Sequence, residues 1–398
     1  MDPATITLEQ LTHSHHDVLA ALRAEGPVCP VPVLEAWVVT SREVAIEVLR
    51  DPERFTVDDP RFSTAQVVGP SMLSLEGPEH RRHRSPFVAA LRPSDVSARF
   101  GPAIDAEARA LVERMAPAGR GDLNAGLAGP LAAFSSAIAL GLVPVDTAAL
   151  LSWYRAIVAA TERIALGGAV DGSTDAPMAA LRAAVRAAAD DSTTSLSAVV
   201  GHLTDDEIAS NAAVFLFGGI ETTEGMIVNL LVHLLSHPDV LDAVRADRSL
   251  ADAAIEESLR LDPAVARVDR YATVDVELGG RSIAAGDFVV VSLSAANRDP
   301  AVYERPDEFD IARAAPVGHL AFVQGPHACV GAQLARLEAR AALSAVLDLL
   351  PEVTFDVGDD PDAHDDTRIA GIVFRKARSL PVRWRAATPT PRRRPADR

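Results

Sequence analysis

The chain has 398 residues, and 48% of them are apolar, enough to bury the core of a folded globular protein. Its formal net charge of −17 argues against nucleic acid and anionic membrane surfaces as partners. Two cysteines and no secretory signal pattern exclude a disulfide framework and indicate a reducing, cytoplasmic location. The longest uncharged run, Leu123 to Val145, contains prolines and polar residues, which indicates a buried helix and its loop rather than a membrane span.

Most of the first two thirds of the chain has the pattern of helices. Amphipathic helices are predicted for Ser41 to Arg50, for the segment GPAIDAEARALVERM at 101–115 and for APMAALRAAVRAAA at 176–189. Segments rich in proline and glycine at 58–71 and 166–177 predict long irregular loops between these helices. The sequence therefore indicates a mainly helical protein.

The clearest predicted helix begins after Thr204 and runs to about Leu235. Thr204 and Glu207 form a capping-box pattern, and roughly 31 residues would span about 46 Å. Its middle, Gly218 to Thr223, combines two glycines, which cost about 1 kcal/mol each relative to alanine, with polar residues in an apolar helix. Either these residues serve helix packing and local hydrogen bonds, or a flat ligand lies beside them.

The period changes to two after Arg267, which is typical of short strands, and Gly279-Gly280 predicts a hairpin turn. A helix is predicted again from Gly331 to Leu350. The Pro/Arg-rich tail at 388–398 is expected to be disordered, which leaves residues 1–387 as a single domain.

Cys329 lies in the stretch GPHACVG, just before the last predicted helix. Amide N–H groups and the positive end of the helix dipole favour a thiolate there, which can be a nucleophile or a metal ligand. The His-x-Cys spacing with His327 lacks the second ligand pair of a structural zinc site. A cysteine hydrolase stays open, but it leaves the glycine-containing helix unexplained. Cys29 is expected to be a small buried apolar residue.

Several motifs, in order along the chain, resemble those of the cytochrome P450 family, in particular its soluble bacterial haem-thiolate monooxygenases. Phe322 to Gly331 resembles the haem-binding loop F-G-x-G-x-H-x-C-x-G, with Val323 in place of the first glycine. Gly218 to Thr223 resembles the oxygen-binding motif A/G-G-x-D/E-T. The segment GPEHRRHR is similar to the helix that flanks the haem.

The remaining motif is the E-x-x-R pair, which Glu257 and Arg260 match, and Arg313 falls where the family has the third member of this charge network. The likeness extends from about Pro27 to Trp384. It implies a mainly α fold with small β-sheets, in which haem lies between the long central helix and the cysteine loop.

The resemblance implies that Cys329 is the axial ligand of haem b, with electrons reaching the iron from NAD(P)H. It further implies that other residues contact the haem or its two propionates: His80, Arg84, Gly218, Gly219, Arg270, Phe322, His327 and Gly331. For His80 and Arg84, whose one-turn spacing places them on the same side of a helix, the alternative is a solvated helix face.

The resemblance also assigns roles in the reaction. Glu221 and Thr222 are similar to the acid–alcohol pair that delivers protons to bound oxygen, with the glycines bending the helix to make room. Glu257, Arg260 and Arg313 would form a structural charge network.

Partners and substrate follow less directly. A ferredoxin and a ferredoxin reductase would supply electrons, with docking at an arginine-rich face. The alternative is that these arginines serve the propionates and ordinary solvation; they are Arg81, Arg82, Arg84, Arg336 and Arg340. Predicted pocket walls, each with ordinary core packing as the alternative, suit a medium-sized apolar organic molecule: Val214, Phe217, Ala266, Val268 and the segments 66–73, 164–175 and 369–372.

Three functions compete. The first is a ferredoxin-dependent monooxygenase that hydroxylates, epoxidises or oxidatively couples a specialised metabolite. The second is a haem-thiolate enzyme that uses peroxide directly, which the Glu221-Thr222 pair disfavours. The third is a non-catalytic haem sensor or carrier, for which a proton-delivery motif is superfluous.

Overall fold

The computed structural model describes residues 2–142, 146–165, 169–189, 196, 201–313, 318–356, 358 and 365–386. The predicted tail at 388–398 lies outside these residues. Helices dominate the described part: α1 (Leu8–His13), α2 (His15–Glu25), α3 (Arg42–Arg50), α4 (Ser63–Val68), α5 (Gly77–Ala90), α6 (Pro93–Met115), α7 (Gly129–Leu140), α8 (Thr147–Ala165), α9 (Asp175–Ala189), α10 (Asp205–Ser236), α11 (Pro238–Ala246), α12 (Ala251–Leu261), α13 (Leu293–Ala296) and α14 (Ala332–Leu349).

The strands are short and form three small sheets. They are β1 (Val28–Val31), β2 (Ala36–Val39), β3 (Phe55–Thr56), β4 (Arg120–Asp122), β5 (Arg267–Ala272), β6 (Val276–Leu278), β7 (Arg281–Ile283), β8 (Phe288–Ser292), β9 (Thr354–Phe355) and β10 (Pro381–Arg383). The largest sheet has the order β1-β2-β8-β5-β3, with β2 parallel to β8 and the other neighbours antiparallel. This sheet joins the first strands of the chain to the antiparallel pair β5 and β8.

The predicted hairpin turn at Gly279-Gly280 is confirmed. It joins β6 to β7, and the two glycines have φ angles of 54° and 77°. A two-residue turn of this kind requires positive φ at both positions, which glycine adopts without a steric penalty.

The long central helix is also confirmed, as α10. The Thr204 hydroxyl accepts a hydrogen bond from the Glu207 N–H, and the Glu207 carboxylate accepts one from the Thr204 N–H, which completes the capping box. Among the described helices, α10 alone is long and apolar enough to cross a membrane, but 78% of its apolar window is buried inside the protein. It is therefore the core helix of the fold.

Other predicted elements agree with the structure in kind, with shifted ends. Ser41 caps α3, and α6 begins at Pro93, eight residues before the predicted segment. The run after Leu123 forms a π-helical turn and then the buried helix α7, as predicted. The prediction of an irregular loop over 58–71 is wrong in part, because Ser63–Val68 forms α4.

The main core surrounds α10, whose neighbours include α7, α9, α12 and α14. A second core lies between the five-stranded sheet and α3, and a third packs α1 and α2 on the other face of that sheet. The loop that carries Cys329 enters α14 at the edge of the main core.

Candidate active site

Cys329 lies in a loop that folds back on itself before α14. The Cys329 N–H donates to the carbonyl oxygen of Phe322 over 2.9 Å, and the Ala328 N–H donates to that of Gly325 over 3.1 Å. Gly325 has a φ of 77°, and a Cβ there would lie 2.2 Å from the carbonyl oxygen of Leu49. Only glycine fits this position, so the loop packs closely on α3 and keeps Cys329 beside Phe322.

Val323, which stands where the family pattern has glycine, adopts a backbone conformation typical of glycine. Its φ of 60° lies in the left-handed region, which costs an L-residue about 1–2 kcal/mol and is rare for a β-branched one. Its N–H donates to Leu320 over 2.8 Å, and its side chain packs against the second core. The loop therefore keeps its turn and carries strain at Val323.

The Cys329 thiol is surrounded by protein and yet accessible. Burial raises its pKa, although a hydrogen bond from the Gly331 backbone and the charge of Arg84 act in the opposite direction. The Gly331 N–H at the helix start thus favours the thiolate, as predicted, but in the protein alone burial outweighs it. The cysteine is nevertheless exposed. An accessible thiol with a raised pKa can still be a metal ligand, because a bound metal ion would deprotonate it.

Four cationic or ionisable side chains, which we call the cationic cluster, meet beside this loop: His80, Arg84, Arg270 and His327. His80 and Arg84 lie one turn apart on α5, and the rings of His80 and His327 have centroids 4.3 Å apart. The Arg84 guanidinium donates to a loop carbonyl next to the cysteine. Glu76 lies 3.1 Å from His327 Nε2 and interacts electrostatically with Arg270. The predicted propionate ligands are thus gathered at one place.

The cationic cluster has fewer anions than its charges require. Arg270 is 4% exposed and burial lowers its pKa to about 10, yet no carboxylate of the described residues lies within 4.0 Å of it. Burial and the charge of His327 lower the pKa of His80 to about 4, and its Nε2 has no hydrogen-bond partner in the described structure. Buried cations need anions nearby. Two carboxylates, such as those of a haem, would supply them, so these residues fit that group.

The two glycines of α10 serve different purposes. A Cβ on Gly219 would lie 2.5 Å from the Ser136 hydroxyl of α7, so this glycine permits close helix packing. A Cβ on Gly218 would have no described atom within 4 Å, so this glycine faces open space. The helix runs continuously through both residues. Room beside α10 therefore comes from a missing side chain and needs no break in the helix.

The predicted acid and alcohol follow directly on α10. The Thr222 hydroxyl donates to the carbonyl oxygen of Gly218 over 2.5 Å. Glu221 is 8% exposed, and burial raises the pKa of its carboxyl, although the charge of Lys376 opposes the rise. A carboxyl with a raised pKa, adjacent to a hydroxyl and near open space, has the properties of a proton donor.

Glu257, Arg260 and Arg313 form one buried network. Both carboxylate oxygens of Glu257 accept bonds of 2.8 Å from Arg260, and Arg313 Nε donates to the same carboxylate over 3.1 Å. Arg260 also donates to backbone carbonyls, which are those of Asn297, Pro306 and Glu308. The network ties α12 to the segment before the cysteine loop and leaves none of its charges unpaired.

The predicted pocket residues lie mostly in packed interior. Val214 and Phe217 are 7% and 6% exposed, and the Phe217 ring meets that of Phe374 edge-on. Ala266 has no exposed surface, and Val268 packs against the second core. Ordinary packing, the alternative from the sequence, accounts for Ala266 and Val268 in this structure.

The predicted wall at 66–73 is anchored to α10 by two polar residues that sequence analysis missed. The Ser210 hydroxyl donates to the carbonyl oxygen of Val68 over 2.6 Å, and the Asn211 side chain accepts from the Met72 N–H over 2.8 Å. Their only signal was two polar side chains in an apolar stretch. Of the two further predicted wall segments, 369–372 is described in full, whereas residues 166–168 of 164–175 lie outside the described part.

Two further charged residues were also missed. Glu76 precedes the GPEHRRHR motif and is the one carboxylate recorded next to His327. Lys376 is the only lysine of the chain, and its ammonium lies 2.9 Å from the carboxylates of both Glu221 and Glu224. A single lysine in a chain that otherwise uses arginine is the signal that could have identified Lys376 from the sequence.

The predicted arginine-rich face is partly neutralised by the protein itself. Arg84 serves the cysteine loop, and Arg81 has no ion pair among the described residues. The other three arginines form ion pairs. Arg82 pairs with Glu79 and Glu207, Arg336 pairs with Glu256, and Arg340 pairs with Asp252. The electrostatic attraction of this face is therefore weaker than the count of arginines indicates.

Comparison with known proteins shows the same family along nearly the whole chain. The model of the family described as Cytochrome P450 matches residues 177–376. Cytochrome P450 monooxygenase PikC of Streptomyces venezuelae is 35% identical, with 94% of this chain and 92% of that protein covered. Vitamin D3 dihydroxylase of Streptomyces griseolus is 33% identical, with 92% of this chain and 93% of that protein covered.

Solved structures agree. The structure of the cytochrome P450 CYP109Q5 of Chondromyces apiculatus has a TM-score of 0.84 at 28% identity and covers 96% of this chain and 97% of its own. The structure of HmtN, described as a post-tailoring hydroxylase involved in himastatin biosynthesis, has a TM-score of 0.80 at 30% identity. It covers 94% of this chain and 98% of its own. The predicted fold is confirmed. The chain, an oxidoreductase that incorporates oxygen, belongs to the cytochrome P450 family.

Proposed function

We propose that this protein is a haem-thiolate monooxygenase in which Cys329 ligates the iron. The observation that supports this most is an accessible, otherwise buried cysteine beside cations that lack anions. Haem, when bound, supplies the iron chemistry that activates molecular oxygen. Phe322 and Gly331 flank the cysteine, and the open space at Gly331 leaves room for a planar group.

The cationic cluster would hold the propionates. Arg84 and Arg270 are the charged donors, and His80 and His327 are the neutral or charged ring donors. An anion there removes the cost of burying Arg270 without a partner. The alternative of a solvated helix face does not suit His80, which is 4% exposed.

Glu221 and Thr222 would carry protons to oxygen on the open side of α10. Burial raises the pKa of the Glu221 carboxyl, which favours its protonated form. The Thr222 hydroxyl, which now donates to Gly218, would turn toward the space beside that glycine and pass the proton on. Gly219 contributes by letting α10 pack against α7.

Thr222→Ala tests this relay. We expect the variant to keep its cofactor but to form less product for each NAD(P)H consumed. Without the Thr222 hydroxyl, protons would no longer be delivered to a defined oxygen atom, and peroxide would be released instead. A loss on the order of 100-fold in proton transfer is typical. Peroxide, product and NAD(P)H are measured together. An unchanged product yield would contradict the role of Thr222, and Thr161→Ala, on α8, is a matched control.

The substrate would be a medium-sized apolar organic molecule of specialised metabolism. Similar proteins include Nocardicin C N-oxygenase of Nocardia uniformis and HmtN, the hydroxylase involved in himastatin biosynthesis. The anchored segment 66–73 is a candidate wall, and Val214 and Phe217 would enter the wall only if they move from their packed positions. The enzyme would act in the cytoplasm, with residues 1–387 as one domain.

Electrons would come from NAD(P)H through a ferredoxin reductase and a ferredoxin. An acidic ferredoxin would dock on the face of Arg81, the arginine of this face that has neither an ion pair among the described residues nor a role at the propionates. Added salt should then slow reduction of the iron, since it screens exposed charges. A rate that does not depend on salt would favour docking by apolar contact.

The deciding experiment is the difference spectrum of the reduced protein with and without carbon monoxide. A band at the wavelength for which the family is named would support haem with a thiolate ligand, and Cys329→Ser should abolish it. No band in a folded sample would contradict the proposal. Turnover with peroxide alone would instead favour a peroxide-using enzyme. No turnover with a competent reductase would favour a sensor or carrier.

A further inference from the structure

Lys376 lies between two carboxylates of α10. Its Nζ atom is 2.9 Å from Glu221 Oε1 and 2.9 Å from Glu224 Oε1. The three side chains are 21%, 10% and 14% exposed, so none of them is a freely solvated surface group. Glu221 and Glu224 are three residues apart, hence on neighbouring turns of one helix face. The ammonium is thus shared between two acids.

The backbone that carries Lys376 is fixed along the same face of α10. The carbonyl oxygen of Arg375 accepts from the Asn229 side chain over 2.9 Å. Phe374 contacts Phe217 with ring centroids 5.4 Å apart. A Cβ on Gly225 would lie only 3.5 Å from the Cβ of Lys376. The hydrogen bond and the ring contact hold the backbone just before Lys376 against α10, and the lack of a side chain at Gly225 leaves room for Lys376 beside the helix.

The charges of this group do not balance. Two carboxylates share one ammonium, and they are the only charged side chains that the described structure places against Lys376. Burial disfavours an unpaired carboxylate. One of the two carboxyls therefore retains a proton easily. When Glu221 carries it, Lys376 stays paired with Glu224, and when Glu221 releases it, Lys376 can pair with both carboxylates.

We propose that Lys376 is the positioning residue of the Glu221–Thr222 pair, which it serves by pairing with Glu221 when that carboxyl is ionised and with Glu224 when it is protonated. The inference rests on the proposed role of Glu221 in proton delivery. It assigns Glu224 a role as well, as the second anchor of the lysine. Burial lowers the pKa of Lys376, but the two carboxylates outweigh this effect and raise it, in agreement with a shared ion pair.

The single lysine permits a direct test that does not depend on turnover. Protein made with lysine labelled at Cε and Nζ gives one lysine side-chain NMR signal, which can be titrated in the diamagnetic ferrous carbon monoxide complex or in the protein as purified. We expect Lys376 to keep its charge to higher pH than free lysine. Glu221→Gln and Glu224→Gln should each lower its pKa. If neither substitution moves it, the proposal is overturned.

A second test uses the pH profile of product formation per electron. Lys376→Met removes the positive charge beside Glu221 and should move the profile to higher pH, whereas Glu224→Gln removes a negative charge and should move it to lower pH. Lys376→Arg should restore most of the yield. A purely structural role would give loss of yield without opposite shifts. Arg368→Met, an exposed cation of the same terminal segment, is the matched control.

These outcomes separate the two proposals. If Thr222→Ala leaves the product yield unchanged, proton delivery by this pair is wrong, whatever the lysine does. If Thr222→Ala uncouples the enzyme while the two glutamine variants leave the lysine signal and the pH profile unmoved, only the role of Lys376 is wrong. We expect Lys376→Met to lower yield by less than the about 100-fold typical of losing a proton-transfer group itself.

Discussion

Two clusters of buried histidine and arginine side chains differ in this molecule: one surrounds the carboxylate of Asp262, whereas the cationic cluster beside Cys329 has few carboxylates near it. In the Asp262 cluster, the carboxylate lies 2.7 Å from His16, 3.1 Å from His233, 3.3 Å from Arg298 and 4.0 Å from Arg375. In the cationic cluster beside the cysteine, only one carboxylate approaches, from the side of His327. Both groups are buried, and both come from distant parts of the chain.

The two clusters differ in whether the protein itself supplies the opposite charges that the buried side chains need. Burial disfavours the charge of Asp262, but His16, His233 and Arg298 outweigh it and hold its pKa well below the usual range. Glu76 and Asp269 act on Arg270 only from beyond ion-pair distance, and burial outweighs them. A cluster that is complete without a ligand is structural, whereas a cluster of buried cations without anions is a place where an anionic ligand belongs.

The Asp262 cluster also shows why distances alone do not define a catalytic site. The Ser258 hydroxyl lies 3.0 Å from His233 Nδ1, and His233 Nε2 lies 3.1 Å from Asp262. This is the hydrogen-bond order of a serine hydrolase. Ser258 is 3% exposed, however, and no substrate can reach it. Accessibility, which Cys329 has and Ser258 lacks, separates the two places.

The largest effect should come from opening the Asp262 cluster. Asp262→Ala removes the carboxylate that two histidines and the buried Arg375 share, and it leaves Arg298 with Asp307 alone, so we expect a loss of about 3–5 kcal/mol in the free energy of unfolding. Urea denaturation measures it. The control is Asp252→Ala, which removes an exposed ion pair with Arg340 and should cost at most about 1 kcal/mol. Equal losses would mean that burial of the cluster adds nothing.

A matched pair of arginine substitutions sharpens the comparison. Burial lowers the pKa of both Arg270 and Arg375 to about 10. Arg375→Leu should destabilise the protein with or without haem. Arg270→Leu should leave the apoprotein as stable or more stable, and should weaken haem binding by about 2–5 kcal/mol. Haem transfer to an acceptor and apoprotein unfolding give the two quantities. Destabilisation of the apoprotein by Arg270→Leu would contradict the proposed difference.

Lowering the pH should destabilise the region around Asp262 first through protonation of its histidines. Burial holds the pKa of His15 well below 6.5, and that of His16 is lowered as well. A lowered pKa favours the neutral imidazole in the folded state, so the contribution to stability is present above pH 6.5 and is lost as pH falls and the unfolded chain binds protons. The slope is about 1.4 kcal/mol per pH unit for each histidine. Urea unfolding at a series of pH values should show a smaller slope for His15→Gln.

Much of the fold was predictable because its signals are local. The capping box at Thr204 located the start of α10, and paired glycines located the β6–β7 turn, since each depends on neighbouring residues only. The helix α4 was missed because its few residues lie in a segment rich in proline and glycine. Its stability comes from contact with α8, which a local pattern does not show.

The sequence predicted which residues belong to the site but not which of their side chains pair with one another. A resemblance in motifs pointed to Cys329, His80 and Arg270. The pairing of Lys376 with Glu221 joins positions 155 residues apart in the chain, and only folding brings them together. For the same reason, the sequence could not show that burial outweighs the helix start at the Cys329 thiol.

The smallest expected effect tests strain in the cysteine loop, for which the Asp262 cluster has no counterpart. Val323→Gly and Val323→Ala both remove the contact with the second core, but only glycine adopts a φ near 60° without strain. We expect the glycine variant to be more stable than the alanine variant by about 1–2 kcal/mol. Thermal unfolding of both gives the difference. If alanine proves equally stable, the left-handed conformation of Val323 is not a cost that the loop carries. If glycine is more stable but binds haem less tightly, the valine side chain stiffens the loop that presents the cysteine.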